Sequence, residues 1–79
     1  MYSNYKKHYK KIGENIAYYR KKKRLTQNGL ALKANISRTY ISHIEAEKVE
    51  KTPSLDVLFR ICEILDIEPY RLFVDIEKY

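Results

Sequence analysis

Apolar positions in the interior of the chain recur with the spacing of helices rather than the alternation of strands. Between Tyr9 and Lys22, Ile12 and Ile16 lie one helical turn apart, and Gly13 leaves room for close packing by another helix. An apolar stripe with the same period follows Pro53 and comprises Leu55, Leu58, Ile61, Cys62 and Leu65. We therefore predict an all-α fold.

Two shorter helices are predicted between residues 26 and 45. Thr26 and Ser37 are suited to cap their first turns, and Asn35 can adopt the left-handed conformation that ends the first of them. The apolar residues fall on one face of each helix, Leu30, Ala31 and Ala34 on the first and Ile41 and Ile44 on the second. Two short helices joined by so tight a turn form a helix-turn-helix.

The second of these helices is predicted to expose a row of hydrogen-bonding side chains. With Ile41 and Ile44 buried, the outward residues are Arg38, Thr39, Ser42 and His43. Such a row is what the major groove of DNA can accept. Arg38 is the strongest candidate for reading sequence because a guanidinium can bond guanine O6 and N7 together; the alternative is a phosphate contact or a solvated arginine.

At 79 residues the chain is predicted to form one domain. Residues 1–8 are interpreted as a flexible basic N-terminal segment, residues 9–79 as the folded domain and residues 46–52 as a charged loop. Glu68 and Pro69 open a predicted fifth helix, since proline suits a first helical position. This helix carries more apolar surface than a terminal helix needs, and the predicted dimer contact comprises Tyr70, Phe73, Val74, Ile76 and Tyr79. The alternative is that Leu72 and Phe73 only close the core.

Positive charge is concentrated near the amino terminus. Residues 1–24 hold nine of the sixteen Lys and Arg residues and one of the ten acids. Lys23 and Arg24 end this stretch and are candidate phosphate contacts, so binding to DNA is expected to depend strongly on salt. An ordinary solvated basic surface is the alternative interpretation.

Cys62 is the only cysteine, which excludes an internal disulfide and favours a reducing cytoplasm. Its place in an apolar stripe indicates packing rather than redox sensing. No apolar run approaches the ~18 residues of a membrane span, so we expect a cytoplasmic protein without a membrane partner. No small-molecule cofactor is expected, and no metal, because His8 is distant from His43.

Several short strings occur in the order typical of one family. They are Ile12-Gly13 with Ile16 and Arg20, Leu25-Thr26-Gln27 with Leu30-Ala31, Ile36-Ser37-Arg38 with Tyr40-Ile41-Ser42 and Ile44-Glu45, and Pro53-Ser54-Leu55 with Leu58 and Ile61. Over residues 9–74 the chain resembles the phage repressor/Cro family, or Xre-type helix-turn-helix regulators. The resemblance implies a compact five-helix, lambda-repressor-like domain that binds double-stranded operator DNA as a homodimer.

The resemblance also implies roles for individual positions. Gln27 is similar to the family glutamine that contacts the DNA backbone and braces the recognition helix. Arg20 and Glu45 match a structural pair that fixes the orientation of that helix, which is a better account of Glu45 than a catalytic acid. The other implied DNA contacts are Arg38, Thr39 and His43 at base edges, and Thr26, Ser37, Tyr40 and Ser42 at the backbone or the rim of the groove.

The chain departs from the family pattern after the third helix. Glu47 stands where the family often has glycine, and the segment 45–53 is longer than usual. In this it resembles controller proteins of restriction-modification systems and sporulation or biofilm repressors. Lys48 and Lys51 are the candidates for the backbone contacts that the family makes here. Gly29 replaces a commoner acid or glutamine and makes the first turn of helix two a weak point.

The leading hypothesis is a transcriptional regulator, by default a repressor, and not an enzyme. It binds a pseudo-palindromic operator through two half-sites about 10 bp apart, or a multiple of that. The alternative is a protein-interaction module, antitoxin-like or pairing with another regulator, that uses the apolar surface of helix five. RNA binding is a third hypothesis, weakened because the chain lacks the sequence features of common RNA modules.

Overall fold

A computed structural model describes residues 5–46 and 53–76, and all regular structure in these ranges is helical. This confirms the predicted all-α class. The elements are α1 (Lys6–Lys22), α2 (Gln27–Ala34), α3 (Arg38–Glu45), α4 (Leu55–Leu65) and a 3-10 helix (Pro69–Leu72).

The core takes at least one fully buried side chain from every element. Its largest apolar members are Ile16, Leu30, Ile41, Ile61, Leu65 and Leu72. Helices α2 and α3 pack on each other, with α1 against α3 and α4 against α2. The helix-turn-helix is therefore held between the two longest helices.

Hydroxyl side chains begin three of the helices. The side-chain oxygens of Thr26, Ser37 and Ser54 accept hydrogen bonds from backbone N–H groups two or three residues inside α2, α3 and α4, at 2.9, 3.0 and 3.3 Å. Each such cap contributes about 1 kcal/mol to stability. The caps predicted at Thr26 and Ser37 are confirmed.

Three helices end on a left-handed residue that is not glycine. Asn35 ends α2 as predicted, whereas Arg24 after α1 and Asp66 after α4 were not foreseen. In each case the next residue is apolar, packs against the core and donates its N–H to a carbonyl of the last helical turn. These residues are Leu25, Ile36 and Ile67.

Gly13 is a point of close approach between α1 and α3. A Cβ atom at this position would overlap the backbone carbonyl oxygen of Ile44. Only glycine lets the two backbones come this near, as the sequence predicted.

Two predicted details of the helices are wrong. Helix α1 begins at Lys6 rather than Tyr9, because the carbonyl of Tyr5 accepts the amides of His8 and Tyr9 and so closes an additional turn. Leu55 was placed in the buried stripe of α4 but is 63% exposed, since it projects from the first turn beyond the core.

The predicted fifth α-helix is a single 3-10 turn. Pro69 begins it as expected, but the side-chain amide of Asn15 then donates to the carbonyls of Arg71, Leu72 and Val74. These are carbonyls that a continuing α-helix would use for its own hydrogen bonds. The segment after Leu72 is consequently irregular.

Candidate nucleic-acid interface

The outer face of α3 is polar and open to solvent. Arg38, Thr39 and His43 are exposed and Ser42 is half-buried, whereas Ile41 and Ile44 on the opposite face are buried. This is the division that the spacing predicted. The exposed face can accept or donate hydrogen bonds to another molecule without disturbing the core.

A buried ion pair fixes α3 to α1. The Nε and Nη2 atoms of Arg20 donate to the two carboxylate oxygens of Glu45 at 2.8 and 3.0 Å, and Nη1 donates to the carbonyl of Leu25 at 2.8 Å. The two charged side chains are 10% and 6% exposed. Paired, charge-assisted bonds of this kind restrict orientation as well as distance. The structural pair implied by the family resemblance is present.

Gln27 extends this network to the start of α2. Its side-chain amide donates to Oε1 of Glu45 at 3.1 Å. Glu45, at the end of α3, therefore bonds side chains at the end of α1 and at the start of α2. Thr26 and Ser37, which cap α2 and α3, are both exposed.

Tyr40 has a structural contact that the sequence did not reveal. Its hydroxyl accepts a hydrogen bond from the backbone N–H of Ser54 at 3.3 Å, and its ring is half-buried. This contact joins α3 to Ser54, the residue that caps the start of α4. Lys48 and Lys51, predicted to contact the DNA backbone, lie between these two elements and outside the described residues.

Positively charged side chains lie between the end of α1 and the start of α2. Lys23 and Arg24 are both exposed and lead through Leu25 to the exposed cap residue Thr26. The chain thus places positive charge beside the amino terminus of a helix, where backbone N–H groups also favour anions.

Arg60 makes a further contact that the sequence did not predict. Its Nη1 atom donates to the carbonyl of Ala34 at 2.7 Å, at the end of α2. The sequence shows a cation on the polar side of α4, but nothing in it indicates that the acceptor is a backbone carbonyl in another helix.

A second exposed surface lies near the C-terminal end of the described residues. Tyr70, Phe73 and Val74 are 55%, 54% and 44% exposed, whereas Leu72 between them is fully buried. We call these three exposed residues the C-terminal apolar surface. Ile76 is half-buried, and Tyr79, which was predicted to belong to this surface, lies outside the described residues.

Cys62 is buried in the core, and its thiol has a raised pKa because of burial and, secondarily, the negative charge of Glu68. In residues 5–46 and 53–76, no three His, Cys, Asp or Glu side chains form a group able to hold a metal ion. Over the same ranges, no helix combines the length and apolar character needed to cross a bilayer.

A capped helix-turn-helix with a fixed, polar outer helix defines a class of regulatory domain, and comparison with known proteins identifies the family. A helix-turn-helix family model matches residues 16–72. The chain belongs to this family, the Xre-type helix-turn-helix transcriptional regulators.

Its relatives include characterised regulators of Bacillus and its phages. The HTH-type transcriptional regulator SinR of Bacillus subtilis is 34% identical over 61 residues, covering 77% of this chain and 54% of SinR. The immunity repressor protein of Bacillus phage phi105 is 40% identical over 57 residues, covering 72% of this chain and 38% of that repressor. The chain therefore spans about half, or less, of the length of these relatives.

Solved structures show the same fold. The restriction-modification controller protein C.AhdI of Aeromonas hydrophila superposes with a TM-score of 0.75 at 31% identity, covering 82% of this chain and 96% of that one. SinR in a complex of the SinR and SinI proteins gives a TM-score of 0.71 at 34% identity, covering 77% of this chain and 58% of that one.

Proposed function

We propose that this protein is a sequence-specific, double-stranded DNA-binding regulator that represses transcription from a pseudo-palindromic operator as a homodimer. The observation that carries the proposal is the exposed polar face of α3, held in one orientation by the Arg20–Glu45 pair and Gln27. A rigid helix with a hydrogen-bonding face can enter a major groove without the entropic cost of becoming ordered on binding.

The roles of the side chains follow from their exposure. Arg38, Thr39 and His43 read base edges from the outer face of α3, with Arg38 best suited to guanine. Lys23 and Arg24 contact phosphates, which add affinity but no sequence preference. The remaining backbone or rim contacts are made by Thr26, Gln27, Ser37, Tyr40 and Ser42.

Homodimerisation is supported by the C-terminal apolar surface. Tyr70, Phe73 and Val74 are exposed, and aromatic side chains are enriched in the buried centre of interfaces. A two-fold dimer presents two copies of α3, and its half-sites are about 10 bp apart or a multiple of that distance. The names of the relatives support regulation, and repression in particular for the phage immunity repressor.

Selection of binding sites from random duplex DNA tests the proposal. The expected result is an enriched motif with two-fold symmetry. Arg38→Ala should flatten the preference at one base pair of each half-site, and Lys33→Ala, which removes an exposed cation from α2 outside the proposed interface, serves as the matched control. The absence of any enriched motif would overturn the proposal.

A second candidate function is binding of another protein through the C-terminal apolar surface. The exposure of Tyr70, Phe73 and Val74 favours it, and SinR itself has been solved in a complex with the SinI protein. Sedimentation of the purified protein separates the two candidates. A homodimer that selects DNA supports regulation by DNA binding, whereas a monomer that selects no DNA and co-purifies with one defined protein supports the alternative.

A further inference from the structure

Helix α1 contacts the recognition helix α3 along one of its faces. Gly13 brings the two backbones together at Ile44, and Arg20, about two helical turns beyond Gly13, bonds Glu45. One contact is a close approach of the two backbones, and the other is a buried ion pair bonded through two hydrogen bonds. The position of α3 relative to α1 is therefore closely determined.

The same helix also holds the segment that carries the C-terminal apolar surface. Asn15 is only 2% exposed, and its amide nitrogen lies 3.1, 2.8 and 2.9 Å from the carbonyl oxygens of Arg71, Leu72 and Val74. On the surface above it, Nζ of Lys11 lies 2.6 Å from the carboxylate of Asp75.

Three backbone carbonyls of the irregular segment 71–74 point towards the side-chain amide of Asn15. A primary amide has two N–H donors, and here they serve three carbonyls that turn around one buried point. A buried donor left without an acceptor is destabilising, so sliding this segment along α1 is unfavourable. Tyr70, Phe73 and Val74 consequently project from a fixed location on α1.

We propose that Asn15 is a positioning residue that sets the spacing between operator half-sites. Through α1 it fixes the C-terminal apolar surface relative to α3, and hence the separation of the two recognition helices in a dimer. This inference rests on the proposed function and deepens it. Arg38 and its neighbours determine which bases are preferred, whereas Asn15 determines how far apart the two copies of that sequence must be.

The test measures binding to a series of duplexes in which the two selected half-sites are moved apart or together by single base pairs. One base pair shifts a half-site by about 3.4 Å and about 35° around the helix axis, which a rigid dimer cannot follow. We expect the wild-type protein to lose about tenfold in affinity per step, equivalent to 1.4 kcal/mol, and Asn15→Ala to lose less than about threefold.

Three further measurements separate positioning from mere loss of fold. Binding of Asn15→Ala to a single half-site, and its base preference there, should stay within about twofold of wild type. Asn15→Ser, which keeps one donor, should fall between the two proteins, and it replaces the alanine variant if that variant fails to fold. Lys11→Ala, which removes the exposed ion pair to the same segment, is the control and should keep the wild-type spacing preference.

Three results would overturn the inference, and they are distinguishable. If wild type and both Asn15 variants show the same steep dependence on spacing, Asn15 has no positioning role while the proposed function stands. If the wild-type protein selects no paired half-sites, the proposed function fails and the inference falls with it. A variant that loses half-site and full-site affinity equally also contradicts the inference, because that pattern reports destabilisation alone.

Discussion

The polar face of α3 and the C-terminal apolar surface are both held by α1, but by different kinds of bond. Helix α3 is fixed by side chains that bond each other, Arg20, Gln27 and Glu45. The buried bonds to the C-terminal apolar surface come from Asn15, whose amide bonds only backbone carbonyls, and the exposed Lys11–Asp75 pair adds to them. The first surface is polar and the second apolar.

This difference concerns how specific each attachment is. A bidentate ion pair needs two particular residues, so a change in either leaves a buried charge without its partner. An amide bonded to carbonyls needs only one, since every residue supplies a carbonyl. Substitutions should therefore be tolerated unequally at the two surfaces.

The largest effect is expected on removing one half of the ion pair. Arg20→Ala leaves the carboxylate of Glu45 buried and without its cation, which should destabilise the fold by about 3–5 kcal/mol. A core of this size supplies only about that much, so the variant should be largely unfolded in urea titrations followed by circular dichroism. A variant that unfolds at the wild-type midpoint would show that the pair does not hold α3.

Gly13→Ala tests whether close approach of backbones contributes to the same attachment. The added methyl group meets the carbonyl of Ile44 and should cost about 1–3 kcal/mol. Gly29→Ala is the matched control, because its Cβ would meet only Thr26 Oγ1 at 3.2 Å and Leu25 Cδ2 at 3.6 Å, and it should change stability by less than about 1 kcal/mol. Equal midpoints for the two variants would contradict the packing argument.

Phe73→Ser tests the apolar surface without touching the polar one. The ring is half exposed in the monomer, so the monomer should stay folded while the dimer dissociates about tenfold more readily or worse, as for a residue at the centre of an interface. Analytical ultracentrifugation over a concentration series gives both dissociation constants. An unchanged constant would place the dimer contact elsewhere.

Lys23→Ala should weaken all DNA sequences alike. The loss of one phosphate contact reduces the slope of log affinity against log salt concentration by about 1, with base preference unchanged. Fluorescence anisotropy at several salt concentrations measures the slope. A change confined to one sequence would instead make Lys23 a base contact.

The smallest effect is expected from pH at the C-terminal segment. The hydrogen bond from Lys11 and its positive charge lower the pKa of Asp75. Stabilisation by this pair is therefore complete above the usual pKa of an aspartate and is lost as the pH falls through the lowered value. Because both side chains are exposed, the change in stability should be slight, and NMR titration of Asp75 is the appropriate measurement. Asp75→Asn should abolish that titration, and an ordinary pKa for Asp75 would show that the pair does not form in solution.

Apolar spacing predicted the helical class, the helix-turn-helix and most of the core, because burial of one helix face leaves a periodic record in the sequence. Caps at Thr26 and Ser37 were also predictable, since their side chains act within their own turn. The Arg20–Glu45 pair was implied by the family resemblance rather than by spacing.

Contacts from a side chain to a distant backbone carbonyl were not predictable. Asn15 and Arg60 bond carbonyls 56 to 59 and 26 positions away, and an acceptor common to every residue leaves no pattern. The helix ends at Arg24 and Asp66 were missed for a related reason, as neither is the glycine that usually signals such a turn. Leu55 is the opposite case, because its position fits the apolar spacing of α4 but its side chain is exposed.

Arg24 carries a consequence for how this protein can change. Its left-handed backbone, at a φ of 60°, costs a non-glycine residue about 1–2 kcal/mol relative to ordinary helical geometry. Glycine in its place would make the molecule more heat-resistant and at the same time strip a cation from the surface proposed to meet a polyanion. Thermal stability and affinity for nucleic acid therefore favour different residues at position 24.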